Sequence, residues 1–182
     1  TVVLDPADYA QLECITRQLP GITSGVTYTR FVRKGIVKVY EDGSEFPIGK
    51  GVVLHESDKD VATIITSGIM VDESLKAYEA LQAEGISVRV IDMFTWKPLD
   101  DDTIGNYAQK CGAFVTAENH NVVGGLGSAV AASLSKSHPV PVEMVGVQDE
   151  VGEVGTVDYL QERFGLTAAA IVSAAQKAIS RK

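Results

Sequence analysis

The stretch that decides the fold is AFVTAENHNVVGGLGSAVAASL, residues 113–134. Its first five residues, 113–117, are small or apolar and predict a buried β-strand. Three glycines follow, which allow the backbone to bend sharply and to approach a neighbouring element closely. Small residues that favour a helix continue over 128–134. We therefore predict a strand, a polar glycine-rich loop over 118–128, and a helix.

The loop over 118–128 holds more chemically capable side chains than any other stretch of the chain. Glu118, His120 and two asparagines precede the predicted start of the helix. The first N–H groups of a helix have no partner within it and favour an anion or a carboxylate. A first interpretation of this loop is therefore an anion-binding site.

Composition limits the class of protein. The chain has 182 residues, of which 45% are apolar, enough for one core and part of a second. Its net charge of −8 argues against nucleic acid or an anionic membrane as the main partner, and no apolar run has the length of a membrane span. We see no signal peptide, and since the chain starts at Thr1 we expect a fragment of a longer protein. Cys14 and Cys111 do not have the spacing of a metal site, so we expect no metal and two buried, reduced thiols in a cytoplasmic protein.

The C-terminal part of the chain alternates between two kinds of pattern. Apolar runs predict strands over 61–66, 86–91, 113–117 and 141–147, and helical patterns lie over 71–84, 100–111, 128–134 and 168–179. Asp100 and Thr167 are predicted helix caps, and a further helix is predicted to start near Thr156. We predict a three-layer α/β domain with a mostly parallel sheet over residues 58–182. Its ligands are expected beyond the carboxyl ends of the strands.

The N-terminal part, residues 1–57, predicts an incomplete second α/β segment. Asp5 is expected to cap a helix that ends near Leu19, and short strands are predicted over 1–4, 26–31 and 36–40. One helix and a few short strands are too little for a separate core. We place a boundary near residues 57–60.

Five motifs, in the same order, resemble the C-terminal domain of the transketolase family. They are DVATIITSG (60–68), VRVIDMFTWKPLD (88–100), VTAENHNVVGGLGSAVA (115–131), VGVQD with GEVG (145–155), and GLT (165–167). Residues 1–57 resemble the end of the preceding pyrimidine-binding domain and its linker. The whole chain most resembles the small, C-terminal subunit of two-subunit transketolases.

The resemblance implies an enzyme that transfers a two-carbon ketol unit between sugar phosphates and uses thiamine diphosphate and magnesium. The cofactor site would lie mostly outside this chain, which alone would be inactive. The implied partners are a second copy of the chain, a large diphosphate-binding subunit, or both. We keep three alternatives open: a 2-oxo acid dehydrogenase beta subunit, a deoxyxylulose-phosphate synthase fragment, and a non-catalytic assembly module.

Arg30 and Arg33 are the predicted ligands of a substrate phosphate. A guanidinium group binds phosphate through two parallel N–H donors. Positions 30 and 33 face opposite sides of a strand, so both can reach one phosphate only if the strand ends between them. Family resemblance favours Arg33.

The remaining candidates have structural alternatives. His120 could hold a substrate oxygen or move a proton, but we expect His120 and Glu118 mainly to shape a subunit interface. Gly124, Gly125 and Gly127 do not match a nucleotide-binding motif, so we interpret them as allowing close helix–strand packing, with a possible contact to a partner subunit. We expect Trp96 to be a packing residue. Three acidic residues, Asp149, Glu150 and Glu153, are expected to lie in a solvated loop and not to form a cation site.

Overall fold

Strands and helices alternate along most of the chain, in a computed structural model that describes residues 1–32 and 35–182. In chain order the elements are β1 (Val2–Leu4), α1 (Tyr9–Gln18), β2 (Thr27–Thr29), β3 (Val52–His55), β4 (Ala62–Thr66), α2 (Met70–Ala83), β5 (Val88–Asp92), β6 (Thr95–Lys97), α3 (Asp101–Cys111), β7 (Phe114–Asn121), α4 (Leu126–Ser137), β8 (Val142–Val147), α5 (Val157–Arg163) and α6 (Ala168–Ser180). A short 3-10 turn, Leu19–Gly21, follows α1.

Among the residues that the structure describes, five strands form the central sheet, in the order β3-β5-β4-β7-β8. β4 pairs in parallel with both β5 and β7, and β7 pairs in parallel with β8. β3 is antiparallel to β5. Every residue of β4 and β5 is buried, as expected for parallel strands that are covered on both faces. The prediction of a mostly parallel sheet is confirmed.

Helices cover both faces of the central sheet. On one face, α2 and α6 pack Leu81 and Ile171 into a core with Val115. On the other, α3 packs Ile104 into a core with Phe114 and residues of α4. Val115 and Phe114 are neighbours on β7, and successive side chains of a strand point to opposite faces. The predicted three-layer α/β fold is therefore confirmed. In the described parts of the chain, every helix is too short or too polar to cross a membrane.

Two helices begin at the residues predicted to cap them, Asp100 and Thr167, and a third begins after Thr156, near its predicted start. The side chains of Asp100, Thr156 and Thr167 each accept a hydrogen bond from the backbone N–H three residues later. Each such cap contributes about 1 kcal/mol to stability, because it satisfies an N–H group that the helix leaves unpaired.

The prediction that Asp5 caps the first helix is wrong. The N-cap of α1 is Asp8, whose Oδ1 accepts from the N–H of Gln11 at 3.0 Å. Asp5 is buried instead, and its backbone bonds to Phe94 and Gly68 at 2.7 and 3.0 Å. It is therefore tied to the C-terminal part of the chain and not to α1.

A smaller sheet, β2-β1-β6, joins the two parts of the chain. β1 is parallel to β2 and antiparallel to β6. Around it, Leu4, Ile15 and Phe46 pack with Phe94, which follows β5, so both parts of the chain supply this second core. Cys14 belongs to the same core, and both cysteines are buried and free, as predicted.

The predicted boundary after residue 57 separates β3 from the other strands of the central sheet. β3 lies before that boundary, yet it pairs with β5 along the edge of the sheet. The division into units 1–57 and 58–182 stays a prediction.

Two other predictions about elements are wrong. Residues 36–40 do not form a strand, because the N–H groups of Val39 and Tyr40 donate to Asp8 Oδ2 at 2.8 and 2.7 Å. The strand over 113–117 continues as β7 to Asn121, which pairs with Val147 of β8. Glu118 and His120 therefore lie on a strand and not in a loop, and α4 begins at Leu126 instead of Ser128.

Asp92, the last residue of β5, is the buried acid where the two parts of the chain meet. Gln11 Nε2 and the Tyr40 hydroxyl both donate to its Oδ2, at 2.8 and 2.7 Å. Its Oδ1 is buried and has no hydrogen-bond partner among the described residues. Burial raises the pKa of Asp92 to about 7, although both donors act in the opposite direction.

We predict that Asp92→Asn removes a pH-dependent loss of stability. The ordinary pKa of the carboxyl group is 3.8, so the unfolded chain releases this proton at lower pH than the folded one. The carboxyl group therefore lowers the free energy of unfolding progressively between about pH 4 and pH 7, and by a constant amount above that range. Urea unfolding at about pH 5 and pH 8 should show the variant gaining stability relative to the parent at the higher pH.

Asp58→Asn is the matched control, because Asp58 is exposed. It should leave the pH dependence of unfolding unchanged. If Asp92→Asn and Asp58→Asn gave the same pH dependence, Asp92 would not be the source of it.

Candidate functional site

Polar side chains from both parts of the chain meet just beyond the carboxyl ends of β1 and β4 and along the last residues of β7. We call this group the carboxyl-edge cluster. Its members are Asp5, Arg30, Ser67, Trp96, Glu118, Asn119 and His120.

Arg30 follows β2 and points into the cluster, with 21% of its side chain exposed. Its Nη2 donates to the backbone carbonyl of Asn119 at 2.6 Å, and its Nη1 lies 3.8 Å from Asp5 Oδ2. The guanidinium carbon is 5.4 Å from the centroid of the Trp96 ring, within the range of a cation–π contact. Arg30 therefore makes one hydrogen bond and two longer contacts within the protein, and its buried Nη1 has no hydrogen-bond partner among the described residues.

Asp5, Ser67 and Trp96 complete a closed ring of contacts with Arg30. Ser67 Oγ donates to Asp5 Oδ2 at 2.8 Å and accepts from Trp96 Nε1 at 3.0 Å. Burial raises the pKa of Asp5, while the charge of Arg30 and the Ser67 bond oppose that rise. Gly68 has a φ of +57°, and a Cβ there would lie 2.7 Å from Asp5 Oδ2, so the ring also requires glycine at this position.

Glu118 occupies the N-terminus of α4. Its Oε2 accepts from the N–H of Leu126 and its Oε1 accepts from the N–H of Gly127, both at 2.7 Å. The side chain is fully buried, and burial raises its pKa while these two bonds lower it. The helix N-terminus is therefore filled by a carboxylate of the chain itself, which rules out the first interpretation of this stretch as an open anion-binding site.

Two of the three glycines permit this close approach of β7 and α4. A Cβ at Gly125 would lie 1.9 Å from Glu118 Oε2, and one at Gly127 would lie 2.7 Å from Thr116 Oγ1. Gly124 faces open space and is required for its φ of +80°. The packing interpretation therefore holds for Gly125 and Gly127, whereas Gly124 forms the turn.

His120 has one ring nitrogen bound and one available. Its Nδ1 lies 2.8 Å from the carbonyl oxygen of Asn121, which can only accept, so Nδ1 carries a proton and, in the neutral imidazole, Nε2 is the acceptor. The ring packs edge-to-face on Trp96 with centroids 5.6 Å apart, and Nδ1 is 4.0 Å from Glu118 Oε2. With 39% of the side chain exposed, His120 can hold a hydroxyl group or accept a proton at Nε2.

The acidic loop beside the cluster is held by internal contacts. Glu150 and Glu153 form ion pairs with Arg163 at 2.9 and 2.8 Å. Asp149, at a φ of +56°, accepts from Asn121 Nδ2 at 2.9 Å. Glu150 and Glu153 therefore share Arg163 as a partner while Asp149 bonds to Asn121, so the three acids do not converge on one site.

A cleft of ≈ 320 Å³ opens next to Arg30. Asp5, Thr29, Gly68 and Asn119 are among its lining residues. Arg33, the other predicted phosphate ligand, lies outside the described residues.

The sequence indicated Glu118, His120 and Arg30 as candidates but not the other members of the cluster. Asp5 was interpreted as a helix cap and Trp96 as a packing residue. Asp5 and Ser67 each follow the last residue of an apolar strand, which is the sequence signal that could have found them.

The fold and the cluster together define a class: a three-layer, mostly parallel α/β domain with its polar site beyond the carboxyl ends of the strands. Within that class, residues 49–171 match the family model described as the C-terminal domain of transketolase. The chain belongs to the transketolase family.

Known proteins similar to this chain include subunits and sections of transketolases. The chain is 46% identical over 180 residues to the 6-deoxy-6-sulfo-D-fructose transketolase subunit SqwH of Clostridium sp. (strain MSTE9), which covers 99% of this chain and 55% of that protein. It is 36% identical over 169 residues to a putative transketolase C-terminal section of Methanocaldococcus jannaschii, covering 91% of this chain and 51% of that protein. The chain therefore spans about half the length of these relatives.

A solved structure has the same fold over the whole chain. It is described as a split gene transketolase, inactive beta4 tetramer, and is 44% identical with a TM-score of 0.91. The match covers 100% of this chain and 57% of that one.

We predict that Glu118→Gln destabilises the fold by about 1–3 kcal/mol, because the amide can accept from only one of the two N–H groups and leaves the other buried and unpaired. Urea unfolding measures this loss. Glu79→Gln is the matched control, since Glu79 is exposed on α2, and it should change the free energy of unfolding little. Equal effects of the two substitutions would contradict the role given to Glu118.

Proposed function

We propose that this chain is the C-terminal part of a thiamine-diphosphate-dependent transketolase that transfers a two-carbon ketol unit between sugar phosphates. The observation that carries the proposal is the 46% identity to a transketolase subunit over 99% of the chain. Because the relatives described above are transketolases by name, this reaction is favoured over those of 2-oxo acid dehydrogenases and deoxyxylulose-phosphate synthases.

Two features of the described residues bear on where the cofactor would bind. The N-terminus of α4 is filled by Glu118, and within residues 1–32 and 35–182 no group of three His, Cys, Asp or Glu side chains is placed to hold magnesium. In the complete enzyme, thiamine diphosphate supplies the carbanion chemistry that breaks the carbon–carbon bond. We place that site mostly on polypeptide outside this chain.

The chain's own contribution is to bind the substrate and to form a subunit interface. Arg33 is proposed to bind the phosphate end of the sugar, with Arg30 as the second candidate for that role. His120 is proposed to meet a substrate oxygen through Nε2, at the edge of an interface formed with Glu118 and the turn containing Gly124, Gly125 and Gly127.

The proposed partners are a second copy of this chain, a large diphosphate-binding subunit, or both. The similar solved structure is described as a tetramer of beta subunits, which supports assembly. A cytoplasmic location is proposed from the two buried free thiols, which suit a reducing compartment.

The test of the proposal is reconstitution. The chain is assayed for ketol transfer from a ketose phosphate, alone and together with the diphosphate-binding polypeptide of the same enzyme, with thiamine diphosphate and magnesium present. We expect activity only from the mixture. Activity of this chain alone would refute the placement of the cofactor site. Association without activity would favour the alternative of a non-catalytic assembly module. The related tetramer of beta subunits is described as inactive, which is consistent with that alternative.

We predict that Arg33→Ala raises the KM for phosphorylated sugars by roughly tenfold to hundredfold in the reconstituted enzyme. The reason is the loss of a charge-assisted hydrogen-bonding pair worth about 1.5–3 kcal/mol. Steady-state kinetics with a phosphorylated ketose and with its unphosphorylated counterpart separate this effect from general damage, because the second KM should change little.

Arg17→Ala is the control for removing an arginine. Arg17 is exposed on α1 and pairs with Glu13 in the preceding turn of the same helix. It should leave both KM values unchanged. An unchanged KM of Arg33→Ala for the phosphorylated sugar would exclude Arg33 as the phosphate ligand.

A further inference from the structure

His120 is the one member of the carboxyl-edge cluster with a free acceptor nitrogen and a partly exposed side chain, and its ring is held from two directions. Its Nδ1 is held by a hydrogen bond to the carbonyl of Asn121, and its ring packs edge-to-face against Trp96. For Nε2, the described residues provide no hydrogen-bond partner. A ring in this position presents its acceptor outward only as long as both supports stay in place.

Arg30 supports the two neighbours of His120 at the same time. It donates to the carbonyl of Asn119, the residue before His120 in β7, and it lies against the Trp96 ring on which His120 packs. Trp96 is itself oriented by its Nε1–H bond to Ser67, and Ser67 by its bond to Asp5. The contacts therefore form a continuous path from the central sheet and β1 to the imidazole.

We propose that Arg30 and Trp96 are positioning residues for His120, which they hold with Nδ1–H on Asn121 and with Nε2 presented to a hydroxyl group of a sugar phosphate. The part that concerns substrate rests on the proposed function. This role differs from the one predicted for Arg30, because its Nη2 is already bound within the protein and only a fifth of its side chain is exposed.

The geometry explains why an arginine is needed here. β2 has three residues, two of them exposed, and it pairs only with β1 within the described residues, so it buries little apolar surface of its own. The Arg30 backbone N–H donates to Leu4 at 2.8 Å, which continues that pairing by one residue. A long side chain with several donors can then reach the end of β7 and the Trp96 ring from this position, which a lysine with one nitrogen cannot do as well.

The first arm of the test is spectroscopic and uses the chain itself. Nitrogen-15 NMR distinguishes the two neutral tautomers of an imidazole, and the chain has only three histidines to assign. In the parent chain His120 should be a single tautomer protonated at Nδ1. In Arg30→Met and in Trp96→Leu it should become a mixture of both tautomers, whereas Arg17→Met, on the surface of α1, should leave it unchanged.

The second arm is kinetic and uses the reconstituted enzyme. His120→Gln should lower kcat/KM, and Arg30→Met should lower it by a smaller factor. Because Arg30 acts through His120, the double variant Arg30→Met with His120→Gln should be no worse than His120→Gln alone. Arg30→Lys, which keeps the charge, should recover part of the loss.

The outcomes separate the two proposals. A single unchanged tautomer in both Arg30→Met and Trp96→Leu would overturn the positioning role, as would multiplying losses in the double variant, which would indicate that Arg30 contacts substrate directly. If instead the tautomer mixture appears while His120→Gln keeps full kcat/KM, the contact of His120 with substrate is refuted and the structural coupling alone stands. If Arg30→Met does not fold, Arg30→Lys and Trp96→Leu carry both arms.

Discussion

The contact between the Glu118 carboxylate and the first N–H groups of α4 is the interaction on which this structure depends. It joins the strand that lies between β4 and β8 to the helix that follows it, and it does so inside the protein, where an unpaired charge would be costly. Positions 125 and 127 require glycine, because a Cβ at Gly125 would clash with the carboxylate and one at Gly127 would clash with Thr116. The sequence of this stretch suggested a site for an external anion, but the Glu118 carboxylate of the chain itself occupies that position.

The same stretch supplies the chemistry that remains available. With Glu118 committed to the helix, His120 is two residues further along β7, on the part of the strand that is only partly buried. Arg30 and Trp96 approach it from the N-terminal part of the chain and from β6, respectively. The fold thus uses β7 twice, first to complete the packing and then to carry His120 to the carboxyl edge of the sheet.

Local patterns predicted the central part of this fold well. Alternating apolar runs and helical patterns predicted the parallel sheet and both helix layers, and Asp100 and Thr167 were recognised as caps because a cap and its target lie three residues apart. The cluster was harder to find, since the Asp5–Ser67 bond joins positions 62 residues apart and the Arg30–Asn119 bond joins positions 89 apart.

The predicted strand over 36–40 failed for a similar reason. Its backbone N–H groups bond to Asp8, a distant side chain that no local pattern could reveal. Polar residues also hid the true end of β7, because pairing with Val147 carries the strand through Glu118 and His120.

The antiparallel strand β3 has a consequence for how proteins of this kind can be divided. It is contributed by the segment that precedes the regular part of the chain, yet it closes the edge of the central sheet beside β5. An open edge exposes a row of unpaired backbone groups to any passing strand, and natural proteins avoid leaving one. A cut placed where the composition changes, after residue 57, would strip the sheet of that cover. A cut placed before residue 52 would keep that cover, yet it would still remove Gln11 and Tyr40, the two donors to the buried Asp92.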